Sequence, residues 1–284
     1  MPRIEEPALR VISLGWGVQS WALAAMSALG VLPHVDYCIH SDTTYERAET
    51  YAFADKWRPW LIAHGIQVMT VKSTDRALDI VGRPYTLMPL YTDGGGQLKR
   101  QCTSRWKIEP ARKRVRSELK RRKVEQYPGA VDMWLGITLD EALRSKPSRV
   151  GYIRHSYPFV NMSEVEDRQL RPYQWMDDGK RWTRLDVINW LHSVGLDVPV
   201  KSSCVQCPYH SASAWRELRD AGNGNWQRAI ALDEAVRGKR RSAGLDSYLT
   251  PQRVPLVDMD LSNQEDAGQL DMFETQECEG GCFL

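Results

Sequence analysis

The sequence lacks long apolar runs, and no stretch approaches the roughly 20 residues that a helix needs to cross a bilayer. Its start, residues 1–6, also lacks the basic and then apolar regions of a secretory signal peptide. From these absences we expect a cytoplasmic protein with no membrane partner. In that compartment, six cysteines are expected to be reduced, catalytic or metal-bound rather than paired in disulfides.

A strong net charge is also missing, since the formal charge is only +2. The charges are nevertheless segregated along the chain. Residues 99–123 hold twelve Lys/Arg and two Glu, whereas residues 255–284 hold eight Asp/Glu and no Lys or Arg. The basic block favours a polyanionic partner, either nucleotide phosphate or nucleic acid. A solvated helix face is the alternative that composition leaves open.

Two common phosphate-binding fingerprints are absent from the first loop, Ser13–Ser20. The dinucleotide pattern fails because Ser20 stands at its third glycine, and no Gly-Lys-Ser/Thr follows as in a Walker loop. Gly15 and Gly17 still allow the backbone to approach an anion closely at the start of a helix, where unpaired N–H groups point outward. A purely structural turn is the alternative.

The N-terminal half alternates between strand and helix patterns. Apolar segments predict strands at Arg10–Leu14, Val35–His40 and Ile66–Val71, and periodic segments predict helices at Val18–Leu29 and Glu46–His64. This order predicts an α/β fold in which a parallel sheet carries helices on both faces. Further strands at 131–135 and 152–155 bring the predicted sheet to about five strands.

The later segments are predicted to be mostly helical. A long basic helix covers 105–123, and its regular part should begin near Ile108 or Glu109 because Pro110 is tolerated only in a first turn. Helices are also expected at 183–194 and 212–237. We therefore divide the chain into an α/β nucleotide-binding domain (1–160), a helical region with a Cys-x-x-Cys loop (161–240) and an acidic, extended tail (241–284).

Polar or glycine-rich turns follow the predicted strands at the edge where open parallel sheets bind ligands. The second strand ends in Asp42 and Thr43, and the fourth ends at Gly136, with Arg144 shortly after it. Trp16, inside the glycine loop, is a candidate to stack on adenine or to gate the site.

Cysteine spacing is the strongest indication of chemistry. Cys102 is followed about a hundred residues later by Cys204 and Cys207, so three thiolates could meet at one site with a fourth position open. Soft thiolates select an iron–sulfur cluster or zinc, and His210 is a candidate fourth zinc ligand. Buried thiols without metal, or a redox dithiol, stay open as alternatives. Cys38 lies in an apolar strand and is expected in the core.

In chain order, these segments resemble the PP-loop adenine-nucleotide-binding enzymes, specifically the phosphoadenylyl-sulfate (PAPS) and adenylyl-sulfate reductase branch. The resemblance covers roughly residues 10–210. The matching segments are Ser13–Ser20, Asp42–Thr44 with Glu49–Tyr51, Arg100–Pro110, Gly136–Glu141 and Cys204–Pro208. Family members bind an adenine nucleotide and either reduce activated sulfate or use ATP to activate a substrate. Some cluster-bearing relatives place sulfur in tRNA or in the DNA backbone.

The resemblance implies a fold of the adenine nucleotide alpha hydrolase type, an adenine nucleotide (ATP or adenylyl-sulfate) and a 4Fe-4S cluster, with Mg²⁺ as a candidate companion of the nucleotide. It implies cluster ligation by Cys102, Cys204 and Cys207. The residues expected at the nucleotide are Ser13, Gly15, Trp16, Gly17, Gln19, Ser20, Asp42, Thr43, Arg100, Lys107 and Gly136. The candidate catalytic residues are Asp42, Arg144, Cys278 and Cys282.

The sequence departs from the family pattern at three places. Gln101 replaces one cluster cysteine, and Gln19 replaces the aspartate usual in ATP-hydrolysing members. The reductase terminus Glu-Cys-Gly-Leu-His is matched only in part by Glu277–Cys282, which has a second cysteine and no histidine.

Three functional hypotheses follow. The first is an enzyme that transfers sulfur to a nucleotide-derived substrate or to a nucleic acid (tRNA or DNA) held through the 99–123 basic helix. In this hypothesis Cys278 or Cys282 relays the sulfur, and a thiol or sulfur carrier is a candidate partner. The second is a reductase that releases sulfite, with Cys278 as nucleophile. The third is a non-catalytic nucleic-acid-binding module.

Overall fold

The computed structural model describes residues 6–83, 86–165, 168–176, 179–238 and 246–262. Its strands are β1 (Leu9–Ser13), β2 (Tyr37–Asp42), β3 (Gln67–Lys72), β4 (Tyr91–Thr92), β5 (Val131–Trp134), β6 (Ile153–Tyr157), β7 (Met162–Glu164), β8 (Leu170–Pro172) and β9 (Ser247–Tyr248). Its α-helices are α1 (Val18–Ala28), α2 (Ala48–Ala63), α3 (Asp75–Leu78), α4 (Glu109–Arg121), α5 (Arg184–Ser193), α6 (Ala212–Asp220) and α7 (Asn225–Arg237).

The main sheet has seven strands in the order β3-β2-β1-β5-β6-β7-β8. The first five of these pair in parallel, and β7 and β8 extend the edge in antiparallel fashion. The predicted α/β class with a mainly parallel sheet is confirmed. The expected count of about five strands is too low, because β7 and β8 have only three residues each and are too short to show an alternating pattern.

Helices cover both faces of the sheet. Successive residues of β1 point to opposite sides, so Ile12 joins a core cluster with α1, α2 and α5, while Val11 joins a second cluster with α4. The β1–α1 and β2–α2 connections both leave the sheet at its carboxyl edge. This edge is where the candidate site lies.

A third core cluster joins α6, α7 and the segment 246–262. Trp215, Leu249 and Leu256 are all fully buried in it. The prediction of an extended acidic tail from residue 241 is therefore wrong for residues 246–262, because apolar side chains of this segment, Leu249 and Leu256 among them, pack into the cluster. The predicted helix 212–237 is in fact two helices, because Gly222 and Gly224 adopt positive φ angles between α6 and α7.

The basic helix begins where the position of Pro110 led us to expect it. α4 starts at Glu109 with Pro110 in its first turn, and a π-helical segment, Thr103–Ile108, precedes it directly after Cys102. None of the described helices combines the length and the apolar character required to cross a membrane.

Candidate functional site

The glycine loop between β1 and α1 is folded around Ser20. The Ser20 hydroxyl accepts a hydrogen bond from the Gly15 N–H at 3.1 Å and donates one to the Gly17 carbonyl at 3.2 Å. Gly17 caps α1 without any side-chain bond to the first turn. The helix start thus keeps N–H groups available for an anion, as a phosphate loop requires.

The segment that carries the Cys-x-x-Cys pair packs directly on this loop. The Ser202 hydroxyl donates a hydrogen bond to the Gly15 carbonyl at 2.7 Å. A Cβ atom at Gly17 would lie 3.4 Å from that of Ser202, so a side chain there would press on this contact. Sequence reasoning missed Ser202, whose only local signal is its place two residues before Cys204.

Gly136 allows the end of β5 to approach the start of α1. A Cβ atom at this position would lie 2.8 Å from both the Gln19 carbonyl carbon and the Ser20 nitrogen. Real Cβ atoms essentially never come so close to backbone, so the position requires glycine unless the loop shifts. The predicted role of Gly136 beside the glycine loop agrees with this approach.

Gln19 connects the loop to the elements around it. Its amide nitrogen donates to Glu141 at 3.4 Å, and its amide oxygen accepts from Arg184 at 3.3 Å. Arg144, a predicted catalytic residue, forms an ion pair with the same Glu141. Gln19 therefore fixes the loop against α5 and the segment after β5.

Trp16 does not lie where adenine stacking would need it. Its ring is fully buried, with its centroid 6.2 Å from that of Trp21 and 6.4 Å from that of Phe53. The residue has a φ of 59°, and burial of a large apolar ring is favourable enough to offset that strain. The expectation that this ring stacks on a nucleotide or gates the site is corrected accordingly.

Asp42 shapes the turn at the end of β2. One carboxylate oxygen accepts hydrogen bonds from the Thr44 N–H and the Tyr51 hydroxyl, both at 2.8 Å. Burial, followed by the bond to Asp42, raises the pKa of Tyr51 above its usual range. The turn directs Thr43 inward, where its hydroxyl lies 3.5 Å from the sulfur of Cys204.

The three cysteines Cys102, Cys204 and Cys207 line one pocket, which we call the cysteine pocket. Cys102 enters it from the start of the π-helix, and the other two enter from the loop before α6. The three side chains therefore face a common pocket. Among the described residues, no three His, Cys, Asp or Glu side chains are grouped so that they could hold a metal ion, so ligation by these cysteines stays a prediction.

The buried carboxylate of Glu46 lies beside Cys204 at the cysteine pocket. Glu46 accepts hydrogen bonds from the Thr43 hydroxyl at 3.1 Å and from the Cys204 thiol at 3.8 Å. Burial and the Glu46 charge raise the pKa of Cys204 well above its usual value. Lys107, predicted at a phosphate, instead places its ammonium 3.2 Å from Glu46 and compensates that charge. Neither the position of Glu46 nor its burial was evident from the sequence.

Gln206, between the paired cysteines, is fully buried and lines the same pocket. Neither its amide nitrogen nor its amide oxygen has a hydrogen-bond partner. Buried amides are almost always paired, because an unpaired one costs about 1–3 kcal/mol. A bound group with acceptor or donor atoms inside the pocket would remove this cost.

Two further side chains lie at the margin of the cysteine pocket. His210 places Nε2 2.9 Å from the Cys204 carbonyl oxygen and packs its ring at 4.5 Å from that of Trp215. The zinc alternative would need the other ring nitrogen or a rotation of this ring. Arg100 lies over the ring of Tyr209 at 5.4 Å, at the mouth of the pocket.

The remaining cysteines lie away from this pocket or outside the described residues. Cys38 is fully buried in β2, and burial raises the pKa of its thiol above the usual range. Its predicted place in the core is confirmed. Cys278 and Cys282, predicted to act as nucleophile or sulfur relay, lie outside the residues that the structure describes.

Comparison with known proteins was made at two levels. No protein-family model matches the chain, and no curated protein is significantly similar to it. The geometry itself places the glycine loop, the β2 end and the cysteine pocket along one edge of the sheet, joined by the contacts of Ser202 and Thr43.

Proposed function

We propose that this chain is a PP-loop enzyme that uses an adenine nucleotide to activate an oxygen of a nucleic acid and replaces that oxygen with sulfur. The observation that carries the proposal is that Cys102, Cys204 and Cys207 line one pocket, and that the segment with Cys204 and Cys207 contacts the glycine loop through Ser202. Thiol groups drawn from opposite ends of the fold to a ligand-binding edge are typical of chemistry rather than packing.

Nucleotide binding is supported by the loop Ser13–Ser20 and by the strand order. Five strands run parallel in the order β3-β2-β1-β5-β6. The strand order therefore extends to one side of β1 with β2 and β3 and to its other side with β5 and β6. Such a change of side opens a crevice for a ligand at the carboxyl edge. This crevice supports the proposal of an adenine nucleotide alpha hydrolase type of fold, with the phosphates at the start of α1.

An iron–sulfur cluster fits the residues of the cysteine pocket. Thiolates are the ligands that such clusters prefer, and the unpaired Gln206 amide could donate a hydrogen bond to a cluster sulfur. Cys102, Cys204 and Cys207 would hold the cluster, and its iron would bind the sulfide that an external donor provides. Lys107 and Glu46 lie next to the site and keep its surroundings close to neutral.

The proposed reaction proceeds in two balanced steps. An oxygen of the acceptor attacks the α-phosphate of ATP, so that the acceptor becomes adenylylated and pyrophosphate leaves. Sulfide, from an external sulfide donor, then attacks the activated carbon or phosphorus and displaces AMP together with the original oxygen. In this scheme the loop N–H groups hold the phosphates, while Gln19 and Glu141 keep the loop in position.

Metal content after anaerobic purification tests the assignment. We expect about four irons and a similar amount of sulfide per chain, with little zinc. Cys102→Ala, Cys204→Ala and Cys207→Ala should each lower the iron content strongly. Cys38→Ala is the matched control, because Cys38 is buried in β2 and should leave iron content unchanged. A colourless protein with one zinc would contradict the cluster.

Product analysis tests the reaction. The iron-loaded protein is incubated with ATP, a sulfide donor and unmodified tRNA or DNA, and the digested nucleosides are examined by mass spectrometry. Sulfur-containing nucleosides that need ATP and all three pocket cysteines support the proposal. Release of sulfite from adenylyl-sulfate or phosphoadenylyl-sulfate with a thiol reductant would support the reductase instead.

A further inference from the structure

A second pocket lies directly beside the cysteine pocket, and we call it the basic pocket. It is bounded by the π-helix, α4 and the segment 143–149. Its cationic lining consists of Arg100, Arg112, Arg144, Lys146 and Arg149. Arg100 and Thr103 line both pockets, so the two are adjacent and share a wall.

Three of the five cations of the basic pocket lack a carboxylate at ion-pair distance in the described chain. No aspartate or glutamate is among its lining residues in the described chain. Arg144 has an ion pair with Glu141, but within the described parts no carboxylate lies at ion-pair distance from Arg112, Lys146 or Arg149. Burial lowers the pKa of Arg112, and the charge of Arg149 lowers it further, whereas Tyr152 and Glu109 act in the opposite direction. Cations held together in this way are stabilised when an anion enters.

An apolar side chain stands at the rim of this pocket. Leu143 is 98% exposed, more than any other large hydrophobic residue in the described chain. It lies on the same short 3-10 segment as Arg144. A fully exposed leucine beside cations suits contact with a nucleobase, since proteins that unstack nucleic acids use apolar side chains of this kind next to phosphate-binding cations.

We propose that the basic pocket binds the phosphodiester backbone of a single-stranded nucleic-acid segment, with Leu143 against an unstacked base. The wall formed by Arg100 and Thr103 then leads the target nucleotide toward the cysteine pocket. This last step rests on the proposed function, whereas the binding of the strand does not. Of the basic block 99–123, only the face that lines this pocket is expected to contact the strand. Arg112 lies on that face, whereas Lys113 and Lys120 do not line the pocket.

Binding of a fluorescein-labelled single strand of about 12 nucleotides tests the proposal by fluorescence anisotropy. RNA and DNA forms and the matching duplexes are compared. Arg112→Gln/Arg149→Gln should weaken single-strand binding at least about tenfold and lower the slope of log affinity against log salt by about 1.4, since each lost phosphate contact contributes about 0.7. Lys113→Gln/Lys120→Gln removes the same total charge, in this case entirely from the part of α4 outside the pocket, and should change affinity less than about threefold.

Three results would overturn the proposal. The first is an equal loss of affinity in both double variants, which would mean diffuse attraction to the helix. The second is loss of binding to fluorescent ATP with unchanged oligonucleotide binding in Arg112→Gln/Arg149→Gln, which would assign the pocket to the nucleotide. The third is tighter binding of duplex than of single strand. Thermal unfolding checks that the variants are folded.

Two additional variants separate this proposal from the proposed function. Leu143→Ala should weaken single-strand binding a few-fold without changing the salt slope, because it removes a stacking contact and no charge. Cys102→Ala should abolish sulfur transfer and leave single-strand binding intact. Retained binding without any sulfur-containing product in the wild-type protein would contradict the proposed reaction but support this inference.

Discussion

Replacement of Gly136 by alanine perturbs the approach of β5 to the glycine loop. The new Cβ would lie 2.8 Å from the Gln19 carbonyl carbon, 2.8 Å from the Ser20 nitrogen and 2.9 Å from the Gln19 Cβ. Ordinary contacts begin near 3.4 Å, so the start of α1 must move by about 0.5 Å. All three atoms belong to the loop that we assign to phosphate binding.

The expected cost follows from two opposing effects. Overpacking of this kind destabilises a fold by about 1–3 kcal/mol, whereas the reduced freedom of alanine in the unfolded chain restores about 0.4–1 kcal/mol. We therefore expect Gly136→Ala to lower the free energy of unfolding by about 1–2 kcal/mol. We also expect weaker ATP binding, because the N–H groups at the start of α1 would be displaced from the phosphates.

Urea denaturation and titration calorimetry with ATP measure the two effects. Gly151→Ala is the matched control, since a Cβ there meets only the end of the Arg168 side chain at 3.5 Å and the residue has no positive φ. That variant should be as stable as the wild type or slightly more stable. A Gly136→Ala protein with unchanged stability and unchanged ATP affinity would refute the reasoning about this contact.

Three further predictions concern buried polar groups. Hydrogen bonds from Arg121 and then Arg122 hold the pKa of Glu118 at about 2, so its stabilisation is present above pH 4.5 and is lost as pH falls toward 2. Glu118→Gln should lower stability at pH 7 and flatten this acid dependence in urea denaturation. Burial lowers the pKa of His155 from 6.5 to about 4. The free energy of unfolding should therefore fall by about 2 kcal/mol between pH 7 and about pH 5, and His155→Gln should abolish this pH dependence. Gln206→Met should stabilise the metal-free chain by about 1 kcal/mol, because it removes an unpaired buried amide.

Each of these predictions has a clear contrary result. An unchanged acid profile in Glu118→Gln would mean that the carboxylate gains nothing from its arginine partners. An identical slope in His155→Gln between pH 7 and pH 5 would mean that this imidazole is accessible to protons in the folded state. A destabilised metal-free Gln206→Met protein would indicate that the amide has partners after all.

The fold was predictable where long patterns repeat. The alternation of β1, α1, β2, α2 and β3 is visible because each strand is a continuous apolar run and each helix has an apolar period. The short strands β7 and β8 have too few residues to show a period. The packing of residues 246–262 was hidden because the segment has neither a helix nor a strand period, although Leu249 and Leu256 make core contacts.

The candidate site was predictable as a set of cysteines but not as a set of contacts. The spacing of Cys102, Cys204 and Cys207 indicates a shared site, and the fold brings them to one pocket. Ser202 and Gln206 gain their importance only from tertiary neighbours, which no local pattern encodes. Trp16 was misassigned because its place in a glycine loop says nothing about the direction of its ring.

X-ray absorption spectroscopy of the full chain, purified without oxygen, tests the central claim most directly. We predict an iron edge with sulfur neighbours and additional scattering from nearby irons, both lost in Cys204→Ala. A zinc edge with sulfur and nitrogen neighbours, or iron content that is unaffected by Cys204→Ala, would contradict the account.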